Sequence, residues 1–330
     1  MNYSEAKKEV TSRFRRALVT GGAGFIGSHL VDELLDLGLE VISIDNFSAG
    51  KHENINHNLS NPRFTSVKVD TTDYEELRKY FNGVDIVFNQ AASKKNICIN
   101  NPRLDLQVNG LGTFNVLELS RDYGVKKVVH ASTGSVYGEA QVLPQTEEHP
   151  IEPVSYYGVS KLAGERYAKV FERLYDLDTT ILRYFHVYGP RQESGELGGV
   201  VAIFARNILK SERPTIFGDG TQQRSFTYVK DVVRANILVA ASDKTKGEVF
   251  NCASGINVTI NMLCDELLHL LGKEKILTPL YKEWQIGDIK VFQISNRKLL
   301  DLGFAFETSF HDGLVETVNY FKSSFGSSKC

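Results

Sequence analysis

The sequence predicts an α/β fold, a doubly wound parallel sheet with a smaller C-terminal lobe. Three observations predict it. Short apolar runs alternate with helix-period segments from residue 16 to about 185. Such alternation is the order of a parallel sheet covered on both faces. A glycine-rich turn, Gly21 to Gly27, separates the first apolar run from the first helical segment. Beyond Gly189-Pro190 the alternation loosens, and helical and short strand-like runs interleave.

The elements follow in order. Residues 16–20 contain Ala-Leu-Val and end at the glycine turn, a short buried strand. Ile26, Leu30 and Leu34 then recur every fourth residue, one face of a helix that Gly38 ends. Val41 to Ile44 is a second strand, stopped by Asp45-Asn46, and residues 64–69 alternate as a third. Residues 73–81 read as a helix with Leu77 and Phe81 inward, and residues 85–88 as a fourth strand. Residues 104–123 are a long helical pattern, and residues 127–130 a fifth strand. In the C-terminal part, helical patterns occupy 200–209, 231–241 and 260–271, with strand-like runs at 215–217 and 248–250. The expected division is 16–185, with returning segments near 226–255, against 186–225 and 256–330. Thr20, Asp45, Asp70, Ala91 and Thr133 each follow an apolar strand run. They are expected to line one crevice at the carboxyl ends of the strands.

Composition narrows the class. The 330 residues are 42% apolar and 24% charged, with net charge −2. That balance lacks the basic footprint of a nucleic-acid binder. No stretch approaches the ~20 apolar residues of a membrane-spanning helix. Residues 1–16 carry five basic side chains without the apolar run of a signal peptide, and read as an exposed lead-in. Cys98, Cys252, Cys264 and Cys330 have no metal-ligand spacing and read as reduced thiols of a cytoplasmic protein, with no metal site.

The glycine turn has the context of a dinucleotide cradle. Gly21 permits the tight turn, Gly24 lets backbone approach a phosphate, and Gly27 lets the helix pack on the sheet. The helix N-terminus offers N–H groups and partial positive charge to a pyrophosphate. Asp45 ends the second strand about 20 residues beyond the turn, where a carboxylate accepts both adenosine ribose hydroxyls and repels a 2′-phosphate. No arginine stands beside it, which favours NAD over NADP. Asp70 follows the third strand; it suits either the adenine amino group or a helix cap.

Tyr157 and Lys161 stand four residues apart, on one helix face. A free phenol ionises near pH ~10. A neighbouring ammonium favours the phenolate and lowers that value. Joined to the cradle and to Thr133, the pair reads as an acid/base site for hydride chemistry. Alone, it would be an ordinary exposed helix pair.

The motifs together resemble one family. They are TGGAGFIGSH at 20–29, Asp45-Asn46, Asp70, Ala91-Ala92, Asn109, STGSVYG at 132–138, YGVSK at 157–161, RYFHVYGPRQ at 183–192, the run from Gly218 to Asp231, and Gly287-Asp288. Over about residues 16–315 the chain resembles the extended short-chain dehydrogenase/reductases. Within them it looks like the NAD-dependent nucleotide-sugar epimerases and dehydratases, of the UDP-glucose 4-epimerase kind. The resemblance implies a Rossmann-like domain that holds NAD and a lobe that grips a nucleoside diphosphate sugar, UDP foremost. It implies cofactor contacts from Gly21, Gly24, Phe25, Ile26, Gly27, Asp45, Asn46, Asp70, Thr71, Ala91, Ala92, Tyr157 and Lys161. It implies substrate contacts from Lys94, Thr133, Ser135, His186, Val200, Arg224 and Asp288. Thr133 matches the hydroxyl that bonds the sugar 4-oxygen, Tyr157 the base that takes the 4-hydroxyl proton, and Arg224 a contact to the diphosphate. A homodimer through helices like 104–123 and 157–175 is implied as well.

Within the family, 4,6-dehydratases place Asp-Glu after the hydroxyl residue, and decarboxylases a Glu where Ser135 stands. Gly134-Ser135 can do neither proton transfer. NADP-linked reductases are disfavoured by Asp45. Elimination leaves a 4-epimerase working through a transient 4-keto sugar, with the dehydratase, decarboxylase, NADH-releasing dehydrogenase and non-catalytic binding alternatives still standing. The chain departs from the family pattern in three places. His186 replaces an Asn, Gln285 replaces an Arg before Gly-Asp, and Lys94-Lys95 replace uncharged residues. Turned inward, those lysines would suit an acidic sugar.

Overall fold

The computed structural model describes residues 1–93, 101–195, 198–284 and 293–326. Lys94, Lys95, Cys98, Gln285, Gly287, Asp288 and Cys330 lie outside the described residues. The main sheet has strands β1 (Arg16–Thr20), β2 (Glu40–Asp45), β3 (Phe64–Lys68), β4 (Ile86–Asn89), β5 (Lys127–Thr133) and β6 (Thr179–Tyr184). A seventh strand, Val249–Cys252, pairs with β6. All pairings are parallel, in the order seventh strand, β6, β5, β4, β1, β2, β3. The strand order reverses between β1 and β4, where Thr20 pairs with Asn89 on one side and Ile44 on the other. A reversal of this kind opens a crevice beyond the carboxyl ends of the strands.

The period-2 pattern of β1 explains how both faces are covered. Ala17 and Val19 join a core with Leu30 and Leu34 of helix Phe25–Asp36 and Leu238 of helix Val229–Ala241. Leu18 faces the opposite core, with Leu117, Ala168 and Phe171. Alternate strand residues point to opposite faces, so a strand covered twice is apolar throughout. A third core, built by Phe204, Phe226, Leu263 and Leu314, lies in the C-terminal part. Short pairings accompany it, such as Gln223–Ser225 with Asn257–Thr259 and Thr215–Phe217 with Leu280–Lys282.

The structure corrects three expectations. Residues 1–16 are not an exposed lead-in. Tyr3–Arg13 is a helix, capped by Asn2 and docked through fully buried Ala6 and Val10. Ala6, Val10 and Phe14 recur every fourth residue, a narrow apolar stripe among the basic side chains. Residues 104–123 are not one regular helix either. Pro102–Asp105 passes through a wide π turn, Leu106–Gly112, into helix Thr113–Asp122. Residues 73–81 are a four-residue helix, Tyr74–Leu77, followed by a tight 3-10 turn, with Leu77 and Phe81 fully buried.

Candidate active site

The glycine turn is built by backbone requirements. Gly21 has φ 65°, and a Cβ there would stand 2.9 Å from the backbone of Ala91. Only glycine fits both the left-handed conformation and the close approach of β4. Gly24 then caps helix Phe25–Asp36 without a side-chain hydrogen bond, and no acidic residue stands in its first turn. The first N–H groups of a helix have no partner inside it. Among the described residues no side chain bonds the N–H groups of Phe25, Ile26 and Gly27, and the positive end of the helix dipole faces the cleft.

The cleft at the switch point is a cavity of about 350 Å³. Its walls include Gly21, Gly24, Phe25, Ile26, Gly27, Asp45, Asn46, Asp70, Thr71, Ala91, Ala92, Tyr157 and Lys161. Every residue expected at the cofactor thus meets in one cavity. Thr133, Ser135, His186, Val200 and Arg224 are not on this wall. Lys94 and Asp288 fall outside the described residues.

Asp45 is held from both sides. Its carboxylate accepts from the N–H of Ala23 at 3.0 Å and of Phe47 at 2.8 Å. Burial pushes its pKa up, and these hydrogen bonds oppose the rise. Asp70 accepts from the Asn46 amide at 2.7 Å and from the Thr72 N–H and hydroxyl. Burial works against its charge, but the bonds from Thr72 and Asn46 outweigh it and the pKa falls. Asp70 therefore holds a turn in the cleft wall, while Asp73 caps the next helix through Glu76 N–H.

Helix Tyr156–Tyr175 begins at Ser155, whose hydroxyl accepts from Gly158 N–H at 3.1 Å. A Cβ on Gly158 would meet the carbonyl of Ser135 at 2.5 Å. That glycine lets the helix start abut the turn after β5, which Thr133 caps by accepting from Ser135 N–H at 3.2 Å. Tyr157 and Lys161 both face the cleft. Lys161 is 1% exposed, and burial pulls its pKa down to about 8, restrained by the negative charges of Glu165 and Asp105. A lysine in this condition stays close to neutral pH in its titration, as proton-handling sites require. Behind it, Asp105, Asn109 and Ser160 form a closed hydrogen-bonded group, with Ser160 Oγ and Asn109 Nδ2 each 2.7 Å from an Asp105 oxygen.

The turn also limits what chemistry fits. A Cβ on Gly134 would stand 2.2 Å from the Phe185 ring, so no carboxylate side chain has room there. His186 occupies φ 36° and packs edge-on to Phe226. His is among the residues enriched in left-handed backbone, so it suits this bend.

Sequence reasoning missed part of the wall. Gln90 and Tyr184 line the cleft and close a triad with Asn236, whose Nδ2 lies 2.8 Å from the Tyr184 hydroxyl. Gln90 follows β4 and Tyr184 ends β6, so the strand-end rule that found Asp45, Asp70 and Ala91 would have found them. The same rule failed at Thr20, which is fully buried behind the wall with its hydroxyl donating to Asn89 Oδ1 at 2.6 Å. Lys51 and Glu193 form an ion pair of 3.2 Å across the cleft mouth, which no local signal announces.

Residues 17–253 match the NAD dependent epimerase/dehydratase family. The chain belongs to that family. A UDP-glucose 4-epimerase of Mycolicibacterium smegmatis is 35% identical, over 93% of this chain and 99% of its own. The crystal structure of Thermotoga maritima UDP-glucose 4-epimerase with UDP-glucose superposes with TM-score 0.88 at 40% identity, covering 94% of this chain and 99% of that one. The UDP-N-acetylglucosamine 4-epimerase of Methanobrevibacter ruminantium, in complex with UDP-N-acetylmuramic acid, gives TM-score 0.89 at 37% identity, with coverage of 94% and 99%. The family's cofactor is NAD, and the cradle fits it. The turn leaves no room for side chains, the helix end is uncapped, and a buried carboxylate stands where the adenosine ribose would lie.

Proposed function

We propose that this chain is an NAD-dependent UDP-sugar 4-epimerase. One observation carries the reading. Tyr157 and Lys161 stand on one wall, positions 134 and 135 carry no carboxylate for water loss, and Gly134 is closed to one by Phe185. NAD held by the glycine turn and Asp45 would supply a reversible hydride acceptor for the sugar C4, the chemistry that epimerisation by way of a 4-keto sugar needs.

The chain's own residues do the rest. Tyr157 removes and restores the proton of the 4-hydroxyl, and the Lys161 ammonium stabilises its phenolate. Thr133 hydrogen-bonds the 4-oxygen. The N–H groups of Phe25, Ile26 and Gly27 hold the pyrophosphate. Asp45 and Asn46 take the adenosine ribose, with Asp70, Thr71, Ala91 and Ala92 completing the wall. Ser135 and Lys94 from the first domain, and His186, Val200, Arg224 and Asp288 from the second lobe, 186–225 with 256–330, contact the nucleotide sugar.

The enzyme works in the cytoplasm as a homodimer. Exposed Leu106, Val159 and Leu174 on the two helical stretches 102–122 and 156–175 support the pairing. Incubation with UDP-glucose, UDP-N-acetylglucosamine and UDP-glucuronate, followed by NMR, tests the reaction. Inversion at C4 of one of them is expected; a 4-keto-6-deoxy product would overturn the reading in favour of a dehydratase.

A further inference from the structure

Glu165 lies on the helix face of Tyr157 and Lys161, one turn beyond the lysine. It is 2% exposed. Its Oε1 accepts from the Ser132 hydroxyl at 2.6 Å and from Arg183 Nε at 2.8 Å, and its Oε2 from Arg183 Nη2 at 2.7 Å. Arg183, on β6, also donates through Nη1 to the Tyr137 hydroxyl at 2.7 Å. Tyr137 in turn donates to Asn251 of the seventh strand at 2.7 Å.

Ser132 and Tyr137 are the two shoulders of the turn that presents Thr133 and Ser135. The carboxylate holds one shoulder and the guanidinium the other. The same carboxylate is carried by the helix of Tyr157 and Lys161. A buried ion pair is often no more stabilising than apolar residues of equal volume. Stability alone therefore gives no reason for charge at this place, whereas its four directed bonds do fix a geometry.

We propose that Glu165 and Arg183 are positioning residues that clamp the Thr133–Ser135 turn against Tyr157 and Lys161. The clamp sets the spacing in which a sugar 4-oxygen is gripped. It rests on the proton-handling roles given above to Thr133, Tyr157 and Lys161. The clamp also bears on charge. Lys161 is faced by Glu165 and Tyr157 on its own helix, by Asp105 of the neighbouring helix and by neutral His130 of β5.

The test uses the NAD-loaded protein with its accepted UDP-sugar and reads kcat per bound NAD, KM and the pH profile. Ser132→Ala and Tyr137→Phe each free one shoulder and leave the ion pair in place. Each is expected to lower kcat about tenfold, with KM and the alkaline limb unmoved. Glu165→Gln is expected to move the alkaline limb to lower pH, because Lys161 loses a facing negative charge and meets an unpaired Arg183. Glu165→Asp keeps the charge, so the limb returns while kcat stays low. Wild-type kcat in both shoulder variants, or an unmoved limb in Glu165→Gln, overturns the clamp. Should Glu165→Gln fail to fold, the shoulder variants decide alone. Full turnover in Tyr157→Phe would instead overturn the reading on which the clamp rests.

Discussion

The Cα of Gly27 packs so closely on the carbonyl of Gly21 that a Cβ would stand 2.1 Å from its oxygen. Contact under 3 Å with backbone cannot be relieved by a rotamer change. Gly27→Ala is therefore expected to push the helix away from the turn and cost about 1–3 kcal/mol of stability. Bound NAD, measured in the purified variant by extraction and absorbance, should fall with it.

Tyr157→Phe removes one hydroxyl at the cleft wall. Turnover is expected to fall at least about 100-fold, the range of a lost general base. UDP-sugar binding, measured by calorimetry, should be retained. Full activity would remove Tyr157 from the mechanism.

Lys161 gives the pH dependence. Its folded pKa of about 8 lies below its ordinary 10.5, so it loses its proton as pH rises through about 8. Turnover is expected to decline on that alkaline side. Between those two values the unfolded chain holds a proton that the folded chain has lost, so apoprotein stability should rise with pH across the window. Lys161→Met should then be inactive yet about 1–3 kcal/mol more stable near neutral pH. Glu165 and Asp105 keep their hydrogen-bond donors in that variant. Denaturant titration at two pH values checks both signs.

Asp45→Ala should weaken NAD binding about tenfold and relax discrimination against NADP, measured by titration of the stripped protein. The loss includes the anchoring of Ala23 in the glycine turn.

Val10→Ala tests the N-terminal helix. Val10 is fully buried against the core of helix Val229–Ala241. A cost of about 1–3 kcal/mol is expected, seen as a lower Tm with kcat unchanged.

The sheet and its cleft could be read in advance because their signals are local. β1, β2 and β4 are apolar runs that lead to Gly21, Asp45 and Ala91, which stand on one wall, and the three glycines each answer a backbone demand. What escaped reading depends on contacts distant in sequence. The stripe Ala6, Val10, Phe14 is readable, but its five basic neighbours hide it, and only the distant helix Val229–Ala241 shows where it docks. The π turn at Leu106–Gly112 leaves no period of its own. The Lys51–Glu193 and Glu165–Arg183 pairs join residues that no spacing relates. The proposed substrate side is harder still: Thr133 ends β5, but His186 and Arg224 come from a bend after β6 and a three-residue strand outside the alternating pattern.

The seventh strand has a consequence for how the chain is made. β6 ends at Tyr184, and its outer neighbour, Val249–Cys252, leaves the ribosome only after the segment between them. Until then β6 shows a row of unpaired backbone donors and acceptors to other nascent chains. A message cut short within that interval would yield a sheet with one adhesive border, and its product should precipitate rather than persist as a smaller working enzyme.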